Sequence, residues 1–139
     1  TIGTNIVSDK KDWESYTNVL GTSAIKSGHS EAVVTGLREI DAQNLGLNYK
    51  TTMITTPNHT SYYPNREMIS IKLVYDADTY VLYGAQMMGK SDTVLRASGY
   101  TTAIHAGLTT KDIGFIDYAY SPPFASTWEA LNVAANTAK

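Results

Sequence analysis

The sequence predicts an α+β domain, an antiparallel β-sheet packed with helices. Two observations carry this. Residues 68–75 and 80–88 are extended, strand-prone runs joined by Asp76-Ala77-Asp78-Thr79, the pattern of an antiparallel hairpin. Helical patterning concentrates after residue 90 instead of alternating with strands, which excludes a doubly wound parallel fold.

The elements follow in order. Residues 1–20 are polar and irregular, with Trp13 and Tyr16 as anchors, and read as a leading segment before the domain at 21–139. Two short apolar stretches, Ser23-Ala24-Ile25 and Ala32-Val33-Val34, flank Gly28-His29-Ser30, so one bent strand or two short ones is expected. Leu37, Ile40 and Leu45 share one face of a short helix, with Gly46 at its C-cap. Tyr49 to Thr56, rich in threonine and β-branched residues, is a strand stopped by Pro57-Asn58. After a polar turn containing Tyr62-Tyr63-Pro64-Asn65 comes the hairpin. Residues 91–106 form a helix with Val94, Leu95, Ala97, Thr101, Ile104 and His105 near helical spacing, closed by Gly107. Thr109 caps a second short helix, with Asp112 three residues on. Pro122-Pro123 keeps Tyr118 to Phe124 extended. A last helix over 127–138 places Trp128, Leu131 and Ala135 on one side, capped by Ser126 or Thr127.

Composition excludes several functions. A net charge of −2 over 139 residues argues against a nucleic-acid footprint. No apolar run approaches the roughly 20 residues of a membrane span, and the first residues lack a secretory signal. The Asn58-His59-Thr60 sequon then reads as chance. The absence of cysteine removes disulfides, thiolate metal sites and cysteine nucleophiles, and His29, His59 and His105 show no metal-ligand spacing. A cytoplasmic protein with no chemistry of its own is the expectation. Ten tyrosines stand against two phenylalanines, which suits half-covered surfaces such as interfaces, or equally a pleated sheet.

Gly84-Ala85-Gln86-Met87-Met88-Gly89-Lys90-Ser91 satisfies the phosphate-loop pattern, with Lys90 for a terminal phosphate and Ser91 for magnesium. A small nucleotide-binding protein is therefore one alternative, and a plain protein-interaction module another. Three points oppose the nucleotide reading. The strand before the motif pairs as a hairpin, whereas a phosphate loop grows from a parallel sheet. Too few residues follow for the remaining strands and acidic magnesium ligand. Ala-Gln-Met-Met favours continued strand, and Asp76 lies upstream in a turn.

Four stretches resemble the carboxy-terminal dimerisation domain of pyridine nucleotide-disulfide oxidoreductases, in the NADH oxidase and CoA-disulfide reductase branch. They are Ser61-Tyr62-Tyr63-Pro64; Ile71 to Asp76 with Gly84-Ala85-Gln86 and Gly89-Lys90; Ala103-Ile104-His105-Ala106-Gly107-Leu108-Thr109; and Tyr118-Ala119-Tyr120-Ser121-Pro122-Pro123-Phe124. Their order and spacing together carry the resemblance, from about residue 61 to residue 136. The first sixty residues match more loosely, at Gly21 to Ala24 and Thr35-Gly36-Leu37, with Gly3 to Ile6 similar to the end of a helix leaving an FAD domain. The chain departs from the pattern at Ser91-Asp92-Thr93-Val94 and Arg96-Ala97-Ser98.

The resemblance implies a homodimer whose FAD and NAD(P)H domains lie upstream, with neither cofactor bound by these residues alone and no activity in them alone. It also implies that Tyr62 and Tyr120 reach the partner subunit's active-site cysteine and bound CoA, as catalytic and substrate-binding contributions in trans. A phenol can donate to a thiolate or oxyanion without adding charge. Interface packing is the competing role for both. His105, on the apolar side of its helix, is expected to be a core or interface residue and not a base.

Overall fold

The computed structural model describes residues 1–16 and 19–139; Thr17 and Asn18, inside the expected leading segment, lie outside the described residues. Five strands, β1 (Ser23–Ser27), β2 (Ser30–Gly36), β3 (Tyr49–Pro57), β4 (Met68–Asp76) and β5 (Leu82–Gly89), form one sheet in the order β1-β2-β5-β4-β3. Every pairing is antiparallel. The expected α+β class and the central hairpin are what the structure contains. The ambiguity at Gly28 resolves into two strands, since Ser27 pairs with Ser30 across Gly28-His29 and Gly28 adopts a positive φ.

Alternation along the strands builds the core. Ile69, Ile71 and Leu73 of β4 are fully buried on the face that Ala85 and Met87 of β5 and Val33 of β2 also supply. Two helices cover that face. Helix α3 (Thr93–His105) lies over β2 and β5, and α5 (Ala130–Asn136) lies over β3 and β4. The short α4 (Thr110–Ile113) adds Ile113, with no exposed surface. Each such aliphatic side chain contributes about 1.5–3 kcal/mol on burial. The other sheet face is only partly covered, by Leu37 and by α2 (Glu39–Asn44), whose Glu39 pairs with Lys72. Ile25, Met53 and Met88 remain 67%, 68% and 63% exposed there.

The amino-terminal helix α1 (Ile2–Val7) buries no residue. None of the described helices is long and apolar enough to cross a membrane.

Several local expectations are corrected. In α2 the buried residue is Ala42, while Ile40 and Leu45 face outward. In α3 the buried stripe is Thr93, Ala97, Tyr100 and Ala103, whereas Leu95 and His105 are exposed. Small residues bring α3 close to the sheet, and Tyr100 fills the space toward α5, donating its hydroxyl to the Leu131 carbonyl at 3.0 Å. Helix α5 begins at Ala130, not at residue 127, and its cap is Glu129, whose carboxylate accepts the Leu131 N–H at 2.5 Å. Trp128 is left outside the helix and half exposed. The returning strand starts at Leu82, because Tyr80 takes a positive φ and stacks on Tyr75. The Thr109–Asp112 capping box and the positive φ of Gly46 and Gly107 match expectation.

Candidate functional site

Gly84 to Gly89 lie within β5, the middle strand, whose backbone is engaged by β2 on one side and β4 on the other. No ring of free N–H groups remains to cradle an anion. A Cβ on Gly84 would stand 1.9 Å from the Leu37 carbonyl oxygen, so this glycine serves chain crossing. Lys90 pairs with Glu67 at 2.8 Å. The phosphate-loop pattern is thus a strand, as its hairpin context required.

The two tyrosines sit on separate loops that meet. The first loop leaves β3 at Pro57. Its base is closed by Asn58, whose N–H donates to the Glu67 carbonyl and whose Oδ1 accepts the Glu67 N–H, both at 2.9 Å. Asn58 is 3% exposed, so the sequon asparagine is committed to this closure. His59 is also buried, with Nδ1–H donating to the Thr60 carbonyl at 3.1 Å and its ring edge-on to Tyr63. Tyr62 then projects outward, 73% exposed.

The second loop follows α4. Pro122-Pro123 holds it open, and the Phe124 and Ala125 N–H groups fold back onto the Ser121 carbonyl at 2.9 and 3.0 Å. Tyr120 is 51% exposed just before this turn. Thr60 Oγ1 donates to the Pro122 carbonyl at 3.2 Å and joins the two loops.

Their phenols stand side by side. The Tyr62 hydroxyl beside it pushes the Tyr120 phenol above its ordinary pKa, partial burial adds to this, and the Thr127 hydroxyl acts in the opposite direction. Tyr120 is therefore a neutral donor at physiological pH. Two adjacent phenols on an open rim offer hydroxyls to an anionic sulfur or oxygen brought by another surface. Phe124, 71% exposed, and Trp128, edge-on to Phe115, extend the apolar rim.

Beneath the rim lies a group that sequence reasoning missed. Arg96, on α3, donates to the Asn58 carbonyl at 2.6 Å, to the Phe124 carbonyl, and to the Glu129 carboxylate. Its side chain is 12% exposed and that of Glu129 is 9%. The only sequence signal was an isolated arginine and an isolated glutamate at two helix starts. Among the described residues no group of three or more His, Cys, Asp or Glu could hold a metal. Exposed His105 lies off the buried face of α3, so of its two expected places, core or interface, the core is ruled out.

Residues 22–131 match the pyridine nucleotide-disulphide oxidoreductase dimerisation domain, and the chain belongs to that family. Over 124 residues it is 39% identical to an NAD(P)H coenzyme A polysulfide/persulfide reductase of Pyrococcus horikoshii, covering 89% of this chain and 28% of that protein. It is 26% identical to an NADH oxidase of Enterococcus faecalis over 99% of this chain and 30% of that one. Among solved structures, an NAD-dependent persulfide reductase from A. fulgidus superposes with a TM-score of 0.92 at 30% identity, covering 99% of this chain and 25% of that one. The water-forming NADH oxidase from Lactobacillus brevis superposes with a TM-score of 0.91 at 26% identity, over 99% and 30% of the two chains. The chain thus spans less than a third of the length of these relatives.

Proposed function

We propose that this chain pairs with a second copy of itself and that Tyr62 and Tyr120 then complete the partner's reactive site in an FAD- and NAD(P)H-dependent oxidoreductase. The convergence of the two phenols carries the reading: loops far apart in sequence bring the Tyr62 and Tyr120 hydroxyls together on an otherwise apolar, exposed rim. Membership of a dimerisation family and the uncovered Ile25, Met53 and Met88 support pairing. FAD and NAD(P)H belong to the rest of the full-length protein, where the flavin accepts hydride. These residues alone bind neither and turn over no substrate. Their part is to donate hydrogen bonds to a thiolate or developing oxyanion and to keep water from it.

The test is Tyr120→Phe in the full-length protein. One donor to a charged acceptor is worth roughly 1.5–3 kcal/mol, so turnover of a disulfide or peroxide substrate falls about 10- to 100-fold. The dimer, followed by light scattering, stays intact. Unchanged turnover, or loss of the dimer, shows that Tyr120 only packs.

A further inference from the structure

We propose that Arg96, held by Glu129, is a positioning residue that sets the spacing between the Tyr62 and Tyr120 phenols. The inference rests on the reading that these two tyrosines act together.

The geometry is specific to loops. Arg96 touches neither tyrosine. Its three acceptors are the Asn58 carbonyl, the Phe124 carbonyl and the Glu129 carboxylate. Asn58 is the root of the loop that carries Tyr62, and that root is itself locked to Glu67 by two bonds. Phe124 closes the turn that follows Tyr120. Glu129 is the cap of α5, so the third acceptor fixes the guanidinium to a packed helix. One planar fork therefore references both loops to α3 and α5. Above it, Thr60 to Pro122 ties one loop to the other.

The residue type matters. A guanidinium offers five donors in a rigid plane, whereas an ammonium is a point charge on a flexible stem. Lysine at position 96 can keep the ion pair with Glu129 but cannot hold both carbonyls in that plane. The loops then part, although charge and fold are retained. Removing the charge is harsher, because the buried Glu129 carboxylate would lose its cationic partner.

The experiment uses the full-length protein with Arg96→Lys, and Glu129→Gln as a second variant in case the first folds poorly. Tyrosine labelled at the ring Cζ is titrated by NMR, with Tyr62→Phe and Tyr120→Phe for assignment. Turnover and substrate KM are measured alongside. In R96K the Tyr120 titration moves down toward that of an isolated tyrosine, while thermal unfolding stays cooperative and the dimer persists. Turnover falls about tenfold, the low end for one charge-assisted bond. Adding Tyr120→Phe to R96K lowers it no further than Tyr120→Phe alone, since both act through one contact. E129Q moves the titration in the same direction.

A Tyr120 titration identical in wild type, R96K and E129Q overturns the proposal, whatever happens to turnover. Should the titration move while Tyr120→Phe leaves turnover unchanged, the positioning role stands and the role of the tyrosines in turnover is what fails.

Discussion

Gly84→Ala adds one methyl group at a site with no room for it. The Cβ would lie 1.9 Å from the Leu37 carbonyl oxygen, 2.6 Å from its nitrogen and 2.7 Å from its carbonyl carbon. Comfortable contact needs about 3.5 Å, so the chains must separate by more than an ångström. Neither chain can yield cheaply. The Leu37 N–H is bonded to the Tyr83 carbonyl at 2.9 Å, and β5 is paired on both edges. Overpacking costs about 1–3 kcal/mol and the lost hydrogen bond about 0.5–1.5, together about 2–4 kcal/mol. In urea unfolding, with a slope of about 2 kcal/mol/M, the midpoint falls by roughly 1–2 M. Gly46→Ala is the control. Gly46 has a positive φ of 65° and nothing within 4 Å, so only conformational strain applies, about 1 kcal/mol. G84A must therefore be the more damaging of the two. If it costs no more than G46A, the close crossing is not as described. A phosphate loop predicts the reverse pattern, with ATP binding lost and stability little changed.

Other outcomes follow from the same structure. Lys90→Ala removes only an ion pair that is half exposed on the lysine side, so stability changes by less than about 0.5 kcal/mol, and calorimetry with magnesium-ATP shows no binding tighter than millimolar before or after. Thr109→Ala removes a cap that accepts the Asp112 N–H at 3.1 Å, at a cost of about 1 kcal/mol by thermal unfolding; no change would show the box to be idle. The Arg38 guanidinium beside it lowers the Asp41 carboxyl from 3.8 to about 2. A depressed carboxylate stabilises above its unfolded value and loses that contribution as pH falls through the folded one, here from about 3.8 to about 2. NMR titration of Asp41 should show this, and Arg38→Ala should return the midpoint toward 3.8; an Asp41 that titrates normally in the wild type contradicts the pairing.

The strands were legible because their signals are local. Alternation in Met68 to Tyr75 and the Asp76 to Thr79 turn need no distant partner to be read, and Asp76 indeed accepts the Asp78 and Thr79 N–H groups. The Thr109 box and Gly46 are equally local. Helix faces were harder. Tyr100 and Thr93 belong to the buried stripe of α3 although neither is aliphatic, because their surroundings are set by the sheet and α5. Ser126 and Thr127 are better capping residues than glutamate by propensity, yet Glu129 caps α5 because Arg96 holds its carboxylate there.

Tyr62 and Tyr120 could be picked out from their motifs, but no one-dimensional pattern places their hydroxyls together. By itself, the sequence determined the antiparallel hairpin, the turns and caps, and the kinship carried by four short stretches, since each depends on residues near in the chain. Only tertiary structure decided which helix faces are buried, that the phosphate-loop pattern is a central strand, and that Arg96 joins three segments. Those outcomes depend on packing and on desolvated hydrogen bonds between groups brought close only when the chain has folded.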